Sequence, residues 1–457
     1  MLSDYSGCFF DDGLGPDSAD RYRQRRLQLM QSCPGIMILS GLQEDPCHSL
    51  TWYHFKPFFF QDPSVLYLTG INQCGVIVIL DSERHEVDVF LPEKNKKKEF
   101  WDGVQFGAGD PKDLEALKQL SGLTRVHSLD EWWPVLQDRI ESQSAQFVST
   151  YIHKKDNGRF WKDHHYTFYK QLKRKLSHFS PGVLIQNNAS SIIQKRILFD
   201  DVSVKNASYA NAIAKETFQQ VCETLPSLKT EHEIFGLIEG SIRAASPFGL
   251  SFQPIVAAGS NATVLHYTKN NDPIDENQLI LLDFGARWHS VVSDVSRTIP
   301  KSGTFNPLQR LLYQIVLDAQ YRVEAAVKPG ITIAELNDIC WPFILSQLDT
   351  LIIKKGGSFE LPYQHAPHNV GHLIGIQVHE GDPFRGYKDI PLKADQMITN
   401  EPGLYGTFSL AIDGQLYHET CGIRIEDSLL ITPNGSKNMT SMIPKDLSDI
   451  EHHIGAS

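Results

Sequence analysis

The chain has 457 residues, 41% hydrophobic and 21% charged, with a formal net charge of −11. That length leaves room for roughly two to four domains and a large core. The acidic balance argues against a nucleic-acid partner, which would want a basic face, and no apolar run approaches the ~20 residues of a membrane-spanning helix.

The seven cysteines are an odd number, and no two form a Cys-x-x-Cys pair. A disulfide framework or a thiolate zinc site is disfavoured, and a reducing compartment is favoured. The acidic start MLSDYSGCFFDDGLG is unlike a signal peptide, so the expected location is the cytoplasm.

In chain order, a helical pattern over Ser18–Gln31 comes first. Its Arg21, Arg23, Arg25 and Arg26 read as a solvated face, and Lys94-Asn95-Lys96-Lys97-Lys98 reads as a solvated loop. Short apolar runs at Ile36–Leu39, Val65–Leu68, Val76–Leu80 and Val87–Leu91 read as strands between helices. The first part is therefore an α/β domain with a mixed or parallel sheet. It holds no Gly-x-Gly-x-x-Gly and no Walker loop, so a nucleotide site has no support. The composition changes near SIIQKRILFDDVSV, which divides the chain into residues 1–192 and 193–457.

A long helix-compatible segment follows from Val204 to about Leu225. Thr230 with Glu233, and Thr332 with Glu335, fit the capping box that opens a helix. A further helix is expected from Asn306, with Pro307 in its first turn, to Lys328. Strand-like stretches are Ile255–Ala258, the two arms of LILLDFGARWHSVVSDVSRTIPK (279–301), Met397–Asn400 and Ile423–Ile431. Long helices with antiparallel hairpins make the second part α+β.

The 279–301 stretch centres the chemistry. A turn between Trp288 and His289 would set Asp283 and Asp294 opposite each other, with Cβ atoms ~4.5–5.5 Å apart, and like charges so placed repel. A pair of divalent cations ~3.5–4 Å apart would offset the repulsion; the alternative is two unrelated, solvated aspartates. Downstream stand His372 in HNVGHLIGIQVHE, Glu401 in TNEPGLY and Glu426 in GIRIEDSLLIT. On a strand, Arg424, Glu426 and Ser428 would share one face, either solvated or buried and held by a partner or a metal. His368 and His372 are four apart, but Pro367, Gly371 and Gly375 argue against a helix there. Two aspartates, one histidine and two glutamates balance two divalent ions and suit Mn, Mg, Co or Fe, with Zn acceptable. Two such ions sharing a water would lower its pKa for attack on a carbonyl.

These residues resemble those of the pita-bread metallopeptidases, most closely the Xaa-Pro aminopeptidase (aminopeptidase P) family, with prolidase the nearest relative. The likeness runs through YHFKPFFFQDPSVLYLTGIN, KRILFDDVSVKNASYA, NATVLHYTKN, DFGARWHSVVSDVSRTIP, HNVGHLIGIQVHE, NEPGLY and GIRIEDSLLIT, in the family's order. It implies a pita-bread catalytic domain preceded by a smaller N-terminal α/β domain. It implies a dinuclear centre, usually of manganese, held by Asp283, Asp294, His372, Glu401 and Glu426. Asp294 and Glu426 would bridge the ions, and Glu401 would be the general base. His266 and His379 would bind the scissile carbonyl and the proline side, with His368, Tyr405 and Arg424 supporting the site and substrate. Trp101 corresponds loosely to an aromatic that reaches a neighbouring subunit's site.

The family's usual basic residue is Asp200 here, and VHD becomes VHE at Glu380. The short stretch between His372 and Glu401 favours aminopeptidase P over prolidase, the X-Pro dipeptidase. The implied activity is release of the N-terminal residue from peptides with proline second, by a homo-oligomer, dimer or tetramer. The reading from another class is a metal-free peptide-binding pseudoenzyme on the same fold, which loss of a ligand would signal; none is missing.

Overall fold

The computed structural model describes residues 2–43, 59–153, 159–160, 162–381 and 386–455. Cys47 and positions 53–58 of the YHFKPFFFQDPSVLYLTGIN stretch lie outside them. The chain divides into two compact units, one built from residues 1–196 and the other from residues 197–381 and 386–457. Among the described cysteines, Cys8, Cys33, Cys222, Cys340 and Cys421 are free, buried thiols.

The first unit comprises helices α1 (Ser18–Ser32), α2 (Pro63–Thr69), α3 (Lys96–Asp102), α4 (Pro111–Ser121), α5 (Trp132–Gln143), α6 (His164–Phe179) and α7 (Ala189–Arg196). Its strands are β1 (Ile36–Ser40), β2 (Ile77–Asp81), β3 (Glu86–Leu91), β4 (Val126–Ser128), β5 (Phe147–Thr150) and β6 (Leu184–Asn187). Among the described residues these strands form one mixed sheet ordered β4-β3-β2-β1-β5-β6, antiparallel from β1 to β3 and parallel elsewhere. Ile36, Ile38, Ile77, Ile79 and Phe90 on one face bury against Trp132, Trp133, Leu136 and Leu172. Each such apolar side chain contributes roughly 2 kcal/mol.

Three expectations fail in this unit. Val65–Leu68 is not a strand but the middle of α2: Asp62 accepts from Ser64 N and Val65 N, and Pro63 opens the helix, so the cap decides the state of a short apolar run that fits either element. The arginines of α1 are not a solvated face, since only Arg23 is exposed. Arg21 pairs with Asp12 at 2.7 Å, Arg25 donates to Tyr67 O at 3.2 Å, and Arg26 donates to Leu68 O at 2.8 Å and Ser121 O at 2.7 Å. Arg25 and Arg26 thereby satisfy last-turn carbonyls that α2 and, at Ser121, α4 cannot bond internally. The lysine run is not a loop: Asn95 caps α3 through Lys98 N, and Lys94 is clamped between Glu99 and Asp113 at 2.6 and 2.8 Å.

In the second unit α8 (Asp201–Thr224) is capped by Asp200, which accepts from Ser203 N at 2.8 Å, a concrete role for the acidic residue at that position. Capping boxes open α9 (Glu231–Ala245), α10 (Pro307–Ala326) and α11 (Ile333–Leu351), with α12 (Leu447–Gly455) last. The strands are β7 (Ile255–Ala258), β8 (Leu279–Phe284), β9 (Arg287–Trp288), β10 (Val291–Val292), β11 (Val295–Pro300), β12 (Ser358–Glu360), β13 (Met397–Asn400), β14 (Gly403–Ile412), β15 (Gln415–Arg424), β16 (Asp427–Thr432) and β17 (Gly435–Asn438). They form the sheets β11-β8-β7, β12-β14-β15 and β13-β16-β17, with β9-β10 a short ribbon at the hairpin tip. The α+β expectation for this part of the chain holds.

The hairpin register differs from the expected one. Trp288 pairs with Val291 and Asp283 with Ser296, so the turn is centred one residue later and Asp283 does not oppose Asp294. The two aspartates are diagonal neighbours on the same side of the ladder. Gly285 permits this: a Cβ there would stand 1.9 Å from Ser293 O, so only glycine lets the two arms close beside Asp294. The expected single strand Ile423–Ile431 is also broken, at Ile425 and Glu426, where the chain passes from β15 to β16.

Candidate metal centre

Each acidic candidate occupies a strand end or a strand break. Asp283 is next to last in β8, Asp294 precedes β11, Glu401 follows β13, and Glu426 fills the gap between β15 and β16. His372 sits in extended chain whose neighbour Leu373 bridges to Ile398 of β13. At such positions the backbone leaves its ladder and a side chain can turn toward the junction of the sheets. Glu426 N donates to Ser296 O at 3.0 Å, docking the break against β11. Gly371 allows the approach of the His372 segment to β13, because a Cβ there would meet Thr399 O at 2.1 Å.

The result is a convergence. One ligand atom each from Asp294, His372 and Glu426, all buried, lies within 4.8 Å of the other two. His372 Nε2 is 3.5 Å from both Asp294 Oδ2 and Glu401 Oε1. Its Nδ1 lies 3.3 Å from Leu373 O, a contact that suits an Nδ1–H tautomer and leaves Nε2 as a lone-pair donor. Thr399 accepts from His372 N at 3.0 Å and donates to Glu401 Oε1 at 3.2 Å. Ser296 Oγ donates to Glu426 Oε2 at 2.7 Å, and Arg424 Nε donates to Ser296 Oγ at 2.9 Å. Arg424 also reaches Asp283 Oδ2 at 2.6 Å and Tyr405 Oη at 3.2 Å.

Burial pushes the carboxyls of Asp294 and Glu426 far above the ordinary range, and the surrounding carboxylates push them further. Asp283 is raised by burial too, with Arg424 opposing. For Glu401 burial is outweighed by His372, His368, Arg424 and His379, which hold it below the ordinary value. Asp283 Oδ1 is buried with no hydrogen-bond partner. Four carboxylates and an imidazole with an orphaned oxygen facing so little positive charge fit divalent cations, which would relieve the repulsion that burial amplifies. The solvated-face alternative for Arg424, Glu426 and Ser428 is excluded, because all three are buried.

The remaining candidates surround this cluster. The His368 ring is not in the ligand group. Its Nε2 lies 3.0 Å from Tyr405 Oη, its Nδ1 4.0 Å from Glu401 Oε2, and Trp341 meets it edge-on. Burial lowers its pKa, with Glu401 opposing. As expected, no helix carries His368 and His372. The His379 ring is exposed with its centroid 4.2 Å from that of His372. His266 is exposed in the loop after β7, near enough for its charge to act on Asp283. Glu380 is fully buried and accepts from Ile376 N and Gln377 N, shaping the loop that carries His379. Trp101, in α3 of the first unit, is exposed and meets Phe100 edge-on.

Sequence reasoning missed Ser296 and Thr399 as partners of Glu426 and Glu401. Thr399 stands two residues before Glu401, on the same strand face, and that spacing was the available signal. Ser296 could be found only from the true register.

Among the described residues no helix is long and apolar enough to cross a membrane. Residues 22–148 match the profile of the aminopeptidase P N-terminal domain. Over 446 residues the chain is 28% identical to a Xaa-Pro aminopeptidase of Haemophilus influenzae, covering 96% of this chain and 97% of that one. It is likewise 28% identical over 437 residues to the mitochondrial intermediate cleaving peptidase 55 of Arabidopsis thaliana, covering 94% and 82%. An aminopeptidase P from Escherichia coli, solved with the inhibitor Pro-Leu, shares the fold with a TM-score of 0.78 at 22% identity, over 96% of this chain and 98% of that one. Residues 205–433 match the profile of metallopeptidase family M24, and the chain belongs to that family.

Proposed function

We propose that this metallopeptidase is a dinuclear-metal aminopeptidase releasing the N-terminal residue from peptides with proline in second position. The observation that carries the reading is the convergence of Asp294, His372 and Glu426 within 4.8 Å, with Glu401 3.5 Å from His372. Asp283, Asp294, His372, Glu401 and Glu426 would hold two divalent cations, manganese by our reading. Bound there, the cations supply a water of lowered pKa and polarise the scissile carbonyl.

The chain's own groups do the rest. Glu401, kept ionised by its neighbouring histidines and Arg424, takes the proton of the attacking water. Thr399 fixes the orientation of that carboxylate. His266 and His379, both exposed beside the cluster, bind the scissile carbonyl and the proline side. Tyr405 orients His368, and Arg424 orients Asp283. The X-Pro amide lacks an N–H and has a restricted φ, so a site that grips ring and carbonyl replaces recognition through a backbone donor.

Metal analysis combined with cleavage of Arg-Pro-Pro and Gly-Pro tests this. Cleavage of the tripeptide by metal-loaded protein supports it. Cleavage of the dipeptide alone would favour a prolidase, and a protein with neither metal nor activity would be a binding module. We also propose a cytoplasmic homo-oligomer with the N-terminal domain at residues 1–192 and the catalytic domain at 193–457. Cell fractionation decides between the cytoplasm and the compartment in the Arabidopsis relative's name, and sedimentation gives the subunit number.

A further inference from the structure

The first unit contains a second convergence of metal-ligating side chains, distant in sequence from every residue assigned above. Asp62 precedes α2, and His164 and His165 open α6. His165 Nε2 lies 3.0 Å from Asp62 Oδ2, and His164 Nε2 lies 3.4 Å from the same oxygen. One ligand atom from each of the three residues lies within 4.8 Å of the other two. The two rings lie against each other with centroids 3.9 Å apart, and Tyr151 stacks on His165 at 4.2 Å.

The division of labour within Asp62 is informative. Oδ1 accepts from Ser64 N and Val65 N, both at 3.0 Å, and so caps α2. That fixes the carboxylate and directs Oδ2 at the two imidazoles. His164 Nε2 is buried and, beyond its 3.4 Å ion-pair approach to Asp62 Oδ2, has no hydrogen-bond partner. A buried ring nitrogen of that kind costs stability unless something occupies its lone pair or its proton. Two imidazoles and a carboxylate oxygen at these separations match the edges of a small tetrahedral coordination sphere, and that donor mixture suits zinc better than the hard cations.

We propose that Asp62 Oδ2, His164 Nε2 and His165 Nε2 bind one divalent cation of the zinc class, clipping the start of α2 to the start of α6. The clip joins positions a hundred residues apart in the chain and would act on the stability of the first unit. A proton held between Asp62 and the histidines is the rival occupant.

The test uses the full chain. Wild-type protein and His164→Ala are equilibrated with excess zinc, freed of loose metal by gel filtration and analysed for zinc and for peptidase activity. The expected result is one equivalent fewer per chain in His164→Ala, with activity unchanged and a smaller zinc-induced rise in Tm. Equal zinc in both folded proteins would overturn the proposal. Should His164→Ala not fold, a zinc-edge anomalous map of the wild-type crystal decides: a peak ~2.0–2.2 Å from all three atoms supports the site, and no peak there assigns it to the proton.

Discussion

Arg424 Nη2 lies 2.6 Å from Asp283 Oδ2, while Asp283 Oδ1 remains buried and without a hydrogen-bond partner. One oxygen of this carboxylate is thus neutralised by the protein and the other is left for a cation. Arg424→Gln should keep the shape but remove the charge. The expected loss is about 10–100-fold in kcat/KM and a similar weakening of metal affinity, the usual scale for a group that orients a ligand. Steady-state kinetics with metal titration measures both, and an unchanged metal affinity would refute the role.

Asp294 is buried, and its carboxyl is pushed far up by burial and by Asp283 and Glu401. An amide there removes a repelling charge without changing volume. Asp294→Asn should therefore abolish turnover while leaving the metal-free protein at least as stable as wild type. Its Tm should also rise less when manganese is added, because at a given concentration a ligand stabilises the native state less the more weakly it binds. Near-normal turnover in this variant would show that Asp294 does not hold the ions.

Acid stability of the first unit should depend on Asp88. Burial raises this carboxyl, but His127, Arg125 and Arg139 outweigh it and hold the value at about 2. Its folded value lies below that of an unfolded aspartate, ~3.9. The native state therefore gains from Asp88 above that pH and loses the gain as pH falls toward 2. The fluorescence of the buried Trp132 and Trp133 should report unfolding in this window. Asp88→Asn should flatten the acid limb while lowering stability at neutral pH, and a limb with an unchanged slope would contradict the assignment.

Glu231 places the loop that carries His266. One oxygen accepts from Ala258 N and Asn261 Nδ2 at 2.9 Å, and the other from Tyr267 Oη at 2.8 Å and Asp272 N at 3.0 Å. Glu231→Gln turns one acceptor into a donor facing donors. The expected cost is about 3 kcal/mol of stability, with KM rising more than kcat falls if the loop serves substrate binding. Chemical denaturation and peptide kinetics would separate the two effects.

How much of this was legible in the chain depended on whether the signal was local. Helix starts at Thr230, Asn306 and Thr332 were readable because a cap is a contact between residues three apart. The five ligand candidates were readable as residue types in order, and their convergence required the sheets. The partner of Asp283 was misread because a hairpin register changes with a single residue at its tip, and Gly285 and the β9-β10 ribbon decide that tip.

By itself the sequence determined the class of chemistry: acidic groups and one imidazole in an order and spacing that match a metallopeptidase family, on an α+β frame. Only the tertiary structure decided which charges leave water. It buried Arg21 against Asp12 and Arg25 and Arg26 against α2, broke the expected Ile423–Ile431 strand at Glu426, and brought Asp62 to His164 and His165. The physical reason is that the cost or gain of a charged group depends on its surroundings, and these are set by partners tens to hundreds of residues away.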